Sequence, residues 1–230
     1  EPTLNTGIGK IMRFLKTEFP RYKIALLTNG TLFSDESLIS DVLLADLIMP
    51  SLDAVSEDVL KRLNRPHKDL KVENVIKGLK NLRKRYTGQL FLEIFIVPGL
   101  NDSDEEIEKL ARVARDIKPD KIQLNSLDRP PAVSGVRKAD YTSLLKLSLK
   151  FEPVAEIIGS YSPREMEIPM TDLMDLIVNT VKRRPCTREE LRELLKLRVK
   201  ELDQTLDRLL KDGKIRFSSG PRGDYIVCNK

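Results

Sequence analysis

Two rhythms of apolar and polar positions run through the first two thirds of this chain. Short β-rich runs recur: "YKIALLTNG", "LADLIMPSLDA", "GQLFLEIFIVPG", "DKIQLNSLD" and "PVAEIIGS". Between them lie "IGKIMRFLKTEF", "KVENVIKGLKNLRKRY" and "DEEIEKLARVARDI", whose apolar residues fall three and four apart and predict helices. Leu60 and Leu63 add a shorter helix after Ser56. Strand and helix in alternation predict an α/β unit over residues 1–160, with parallel strands joined by right-handed crossovers into a partial (β/α) barrel.

"SYSPREMEIP" then reads as a linker, and the rhythm changes. Three helical stretches follow, "TDLMDLIVNTVKRR", "TREELRELLKL" and "RVKELDQTLDRLLKDGK", and then two strands, "KIRFSS" and "DYIVCNK", around "GPRG". Thr187 and Glu190 have the spacing of a capping box, and Gly213 is placed to stop the third helix. This is the winged-helix plan, expected over residues 161–230. Its apolar stripe includes Leu202, Leu206, Leu209, Val199, Phe217, Tyr225 and Val227. With that stripe inward, the third helix exposes Lys200, Asp203, Gln204, Asp207, Arg208 and Lys211. Two aspartates suit major-groove reading poorly, so no sequence-specific DNA binding is expected; docking of RNA or protein is the better fit, with a purely structural role as a lid on the barrel beside it.

Composition narrows the class. Of 230 residues 33% are charged, rich in Lys, Arg and Glu, as in proteins from hot environments. The net charge of +5 is spread along the chain, which permits nucleic-acid contact without arguing for it. No apolar run approaches the about 18 residues of a membrane span. Two cysteines, Cys186 and Cys228, make neither a disulfide framework nor a metal motif, and a cytoplasmic location is expected.

In a parallel α/β layer, ligands bind beyond the carboxyl ends of the strands. The first run ends Thr28-Asn29-Gly30, the second Ser51-Leu52-Asp53, and the third Pro98-Gly99-Leu100-Asn101-Asp102. Glu93 interrupts an apolar strand and shares a face with Phe91, Phe95 and Val97 by alternation. Gln123 and Asn125 are two apart and share a face of the fourth strand. Such a rim suits a polar ligand that brings its own reactivity. Simpler readings stand beside it: Asn29-Gly30 as a turn, and Asp53 and Asp102 as helix N-caps. His67, the only histidine, reads as a surface or capping residue.

The strand ends also carry a resemblance. "EPTL" at the head of the chain resembles the Gly-Glu-Pro-Thr motif of radical S-adenosylmethionine enzymes, lacking one Gly. "LTNG", "PSLDA", "VPGLNDS" and "QLNSLDRPP" resemble the later strand ends of that family, in order, over residues 1 to about 150. With "RPH", they are most similar to an archaeal and bacterial branch of it. The resemblance implies S-adenosylmethionine and a 4Fe–4S cluster as cofactors, and an external electron donor as partner. It implies reductive cleavage to a 5′-deoxyadenosyl radical that acts on a substrate the sequence does not name. By the same resemblance Glu1, Pro2 and Thr3 meet the methionyl ammonium, and Thr28 and Asn29 line the methionyl end. Ser51 and Asp53 approach the carboxylate or ribose. Glu93, Gln123 and Asn125 line the lumen, and Arg65 pairs with a carboxylate of cofactor or substrate. The family's Cys-x3-Cys-x2-Cys cluster motif belongs upstream of Glu1, so the chain is expected to begin inside the second strand's loop. The alternative function is a regulator, with the α/β part sensing a small molecule and the winged helix binding DNA.

Overall fold

The computed structural model describes residues 1–131, 133–220 and 223–229. The chain divides into two compact units, Glu1–Ser160 and Tyr161–Lys230.

The first unit opens with a 3-10 turn, Pro2–Leu4, and helix α1, Ile8–Glu18. Then follow β1 (Ala25–Thr28), α2 (Glu36–Val42), β2 (Leu47–Pro50), α3 (Glu57–Asn64) and α4 (Val72–Arg85). After them come β3 (Gln89–Phe95), α5 (Asp104–Ile117), β4 (Lys121–Asn125), α6 (Tyr141–Ser148) and β5 (Glu156–Ile157). The five strands form one parallel sheet in chain order, β1-β2-β3-β4-β5. A constant strand order with same-handed crossovers puts every connecting helix on one face. Burial follows that geometry. Leu26, Ile48, Leu90, Leu92, Ile94, Ile122 and Leu124 lie under the helices and are buried. The residues between them, among them Leu47, Met49, Phe91, Glu93, Phe95, Gln123 and Asn125, face the other way and keep partial exposure.

Local chemistry sets the helix starts. Asp35 caps α2 through Ser37 N, Ser103 caps α5 through Glu106 N, and Asp140 caps α6 through Ser143 N. Ser56 stands at the N-cap of α3 without a side-chain bond. Asp53 and Asp102 are therefore not the caps: each lies short of the helix, and its carboxylate is used elsewhere. Gly78 is required where α4 crosses the Phe33–Ser34 backbone, since a Cβ there would sit 2.7 Å from Phe33 C. Helix α6 was not expected; its buried Leu144, Leu145 and Leu147 follow a polar loop that hides the start of its pattern.

The second unit contains α7 (Met170–Arg183), β6 (Cys186–Thr187), α8 (Arg188–Leu195), α9 (Val199–Lys211), β7 (Ile215–Gly220) and β8 (Gly223–Cys228). Its sheet is antiparallel, ordered β6-β8-β7. The Thr187–Glu190 capping box forms, and Gly213 follows α9 at φ 65°. Part of the "GPRG" turn lies outside the described residues. The core differs from the expected stripe at three places. Val199 is 62% exposed at the start of α9, where the helix has not yet reached the core. On β7, Phe217 shares the face of Ile215 and Ile226 but stays 37% exposed, with the Arg188 guanidinium 5.2 Å from its ring centre. On β8, Ile226 is the fully buried residue, so Tyr225 and Val227 fall on the less buried face. A strand one residue out of phase reverses its faces. Among the described residues no helix is long and apolar enough to cross a membrane.

Candidate functional site

The carboxyl ends of β1, β2, β3 and β4 bring most of the sequence-predicted site residues to one rim. At the β1 end, the Glu1 carboxylate gathers four donors: Thr3 N at 2.9 Å, Thr3 Oγ1 at 2.5 Å, Thr28 Oγ1 at 2.7 Å and Asn29 N at 2.6 Å. Burial opposes ionisation here, but the bonds from Thr3, Asn29 and Thr28 outweigh it and hold the carboxyl below its ordinary range. The knot ties the Pro2–Leu4 turn to the strand end. Three of the donors fall on Oε1 and one, Asn29 N, on Oε2. Asn29 is similarly committed: its Oδ1 accepts from Thr31 N at 3.1 Å and Thr31 Oγ1 at 2.7 Å, an Asx turn. Gly30, at φ 68°, completes the turn. The turn reading and the rim position hold together.

On the open face, strand register lines up the polar side chains. Glu93 pairs with Gln123 across β3 and β4, Phe95 with Asn125, and Ser51 bridges to Glu93 from the end of β2. Asn125 Nδ2 donates to Glu93 Oε1 at 2.9 Å. Glu93 is thereby oriented by a neutral partner on a half-buried face. Leu27, Met49, Phe91 and Phe95 supply apolar surface beside it. Val97 does not join this face. The strand ends at Phe95 and Val97 is buried beyond it.

Asp53 lies at the seam of β2 and β3. Its Oδ1 accepts from Phe95 N at 2.8 Å, and its Oδ2 from Asn64 Nδ2, at the end of α3, at 2.7 Å. Burial pushes the Asp53 carboxyl up, and the nearby Glu93 charge adds to the rise. Two neighbours that sequence reasoning left without a role hold this seam. Asn101 is fully buried; its Nδ2 donates to Asp53 O and Phe95 O, and its Oδ1 accepts from Val97 N. Glu106, also buried, accepts from Val55 N, Ser56 N and Ser56 Oγ. Ser103 and Glu106 have capping-box spacing, the one signal available, yet the Glu106 side chain reaches across to the β2–α3 loop.

Arg65, next to the Asn64 that bonds Asp53, ends α3 in the left-handed region at φ 48° and is exposed. His67 is exposed beside Asp69, at 3.5 Å, as a surface residue. The chain does not fit a three-thiolate cluster. Its only cysteines, Cys186 and Cys228, lie in the second unit, and burial raises the Cys186 thiol. No group of three or more His, Cys, Asp or Glu side chains among the described residues could hold a metal ion.

Residues 1–113 match the profile of the Radical SAM superfamily. Over 221 residues the chain is 28% identical to "GTPase Obg" of Brachyspira hyodysenteriae, covering 94% of this chain and 32% of that protein. It is 27% identical over 221 residues to UPF0026 protein MJ1312 of Methanocaldococcus jannaschii, covering 94% of this chain and 67% of that protein. Among solved structures it resembles a domain of pyruvate-formate lyase-activating enzyme from Bacteroides vulgatus, with a TM-score of 0.54 at 16% identity, over 69% of this chain and 94% of that one. That likeness is one of fold. The chain thus spans about a third of the first relative and two thirds of the second.

Proposed function

We propose that the first unit, which carries a radical SAM superfamily domain, is the S-adenosylmethionine-holding part of a radical SAM enzyme. The observation that carries this reading is the convergence of Ser51, Asp53, Glu93, Gln123 and Asn125 on one rim and one face of a parallel sheet. The donor set suits the cofactor. The oriented Glu93 carboxylate matches hydroxyls or positive charge, the amides of Gln123 and Asn125 match base edges, and Phe91 and Phe95 offer apolar surface. The Pro2–Leu4 turn, braced by Glu1, would present backbone acceptors to the methionyl ammonium. Bound S-adenosylmethionine supplies the radical chemistry when it receives an electron from an external donor. This chain's residues orient it and exclude water. Cluster thiolates would come from polypeptide outside residues 1–230.

For the second unit we propose a winged-helix fold with a docking role toward RNA or protein. The order α7-β6-α8-α9-β7-β8 supports it. Arg188 pairs with Asp203, which leaves Lys200, Arg208 and Lys211 against Asp207 on the α9 face. Duplex DNA should then bind only weakly, at about 10⁻⁴ to 10⁻⁶ M and with steep salt dependence.

The test is calorimetric titration of the chain with S-adenosylmethionine. Asp53→Ala should weaken binding, because a lost hydrogen bond to a charged group costs about 1.5–3 kcal/mol. Asp35→Ala, at the α2 cap away from the rim, should leave it unchanged. Equal affinities would sink the rim assignment. Anaerobic reconstitution of this chain alone should give iron near background; a stoichiometric cluster would overturn the assignment of its ligands to other polypeptide.

A further inference from the structure

We propose that Asn101 is a positioning residue for the rim, acting through Asp53. The inference rests on the ligand-site reading of that rim. Strands β2 and β3 pair at Leu47–Gln89 and Ile48–Leu90, and a single bridge joins Ser51 to Glu93. Beyond that bridge the chain leaves both strands, and regular pairing ends. What joins the two ends there is side-chain chemistry. Leu52 N still donates to Glu93 O, at 2.9 Å. Past it, Asn101 donates to Asp53 O at 2.8 Å and to Phe95 O at 2.7 Å, and takes Val97 N at 2.8 Å.

One amide group therefore satisfies an acceptor from each strand end and fixes where β3 turns into the next loop. Asp53 closes the same seam from the other side, through Phe95 N. Phe95 is held at both backbone groups, its N–H by Asp53 and its carbonyl by Asn101. The Asp53 carboxylate and the β3 end are thus tied together at Phe95, with Asn101 holding both from the buried side. Only an amide serves at position 101. Its three bonds need two donated hydrogens and one acceptor oxygen, all used here and all buried. A carboxylate of the same shape would keep the Val97 bond and turn an oxygen toward two carbonyl oxygens.

The experiment measures S-adenosylmethionine affinity by calorimetry, and amide hydrogen exchange at Phe95 and Val97, in the full chain. The variants are Asn101→Asp, Asn101→Ala and Leu110→Ala. Leu110 is fully buried in α5 away from the rim and controls for lost stability. Both Asn101 variants should bind about tenfold more weakly and exchange faster at Phe95 and Val97. Leu110→Ala should bind like the parent after an equal fall in thermal midpoint. In an Asp53→Ala background, Asn101→Asp should cause no further loss. Affinity that tracks thermal stability alike in Asn101 and Leu110 variants would overturn the proposal, as would unchanged exchange at Phe95. Should Asn101→Ala fail to fold, the near-isosteric Asn101→Asp carries both readouts. A parent chain that does not bind the probe refutes the ligand-site reading, while exchange at Phe95 and Val97 still decides whether Asn101 holds the seam.

Discussion

On the helix-covered face of the five-strand sheet, Ile48, Leu90, Leu92, Ile94, Ile122 and Leu124 are wholly buried. One step along the same strands, Phe91, Glu93, Phe95, Gln123 and Asn125 look out from the open face with partial exposure. Backbone, register and neighbours are shared, so the difference in residue type reports the difference in surroundings alone. A polar group on the covered face would lose water with nothing to replace it, which costs about 1–3 kcal/mol in proteins. On the open face that constraint is relaxed, and polar side chains can be kept for another purpose. The contrast separates the part of the sequence that makes the fold from the part available to a ligand.

The largest effect that would sharpen this contrast is at Leu92. Leu92→Ala leaves a cavity between sheet and helices and should cost about 2–5 kcal/mol in denaturant unfolding. Its neighbour Phe91, larger but half-exposed and lying beside Lys121, should cost less than half as much when cut to Ala. Equal costs would mean that the open face is part of the core.

Next in size is the reverse experiment. Glu93→Gln keeps the shape and lets Asn125 remain a partner, so unfolding should shift by no more than about 0.5 kcal/mol. S-adenosylmethionine affinity should fall several-fold, since the carboxylate that Asn125 orients is removed. A variant that loses stability and keeps affinity would assign Glu93 to structure.

The sequence was legible where one period dominated. All five parallel strands of the first unit and the helices α1, α3, α4 and α5 show in alternation or in three-four spacing. The rim followed from where the strands ended, without knowledge of contacts. What stayed hidden depended on pairs far apart in the chain. Glu106 lies fifty residues from Ser56, and its sequence context reads as an ordinary cap. Asn101 looks like a turn residue in "VPGLND", and its role exists only because two strand ends meet there. The four donors on the Glu1 carboxylate come from Thr3, Thr28 and Asn29, two of which lie 27 and 28 residues away in sequence. In the second unit, the phase of β8 was open because Tyr225, Ile226 and Val227 are all apolar enough to serve inside. Only packing chooses Ile226.

The smallest predicted effect probes the boundary between the two faces. Asp53 stands at the seam, and burial, aided by Glu93, raises its carboxyl above the ordinary value of 3.8. The sign follows from linkage. A group whose folded pKa is raised favours folding while protonated, below the unfolded value, and loses that contribution as pH climbs through the folded value. At neutral pH the ionised Asp53 therefore weakens the fold relative to its protonated form. Asp53→Asn cannot ionise, and its amide can still accept from Phe95 N once Asn64 turns its own amide. The variant should be modestly more stable than the parent at pH 7, and the gap should close as pH falls below about 3.8. Thermal midpoints at pH 3, 5 and 7 measure this. A gap that widens toward acid would mean that the bonds from Phe95 and Asn64 outweigh burial, and that Asp53 is a structural carboxylate of the kind seen at Glu1. A gap that closes as described would mean that the rim keeps a destabilising charge where an amide would fold better, which is the thermodynamic mark expected of a residue retained for its ligand.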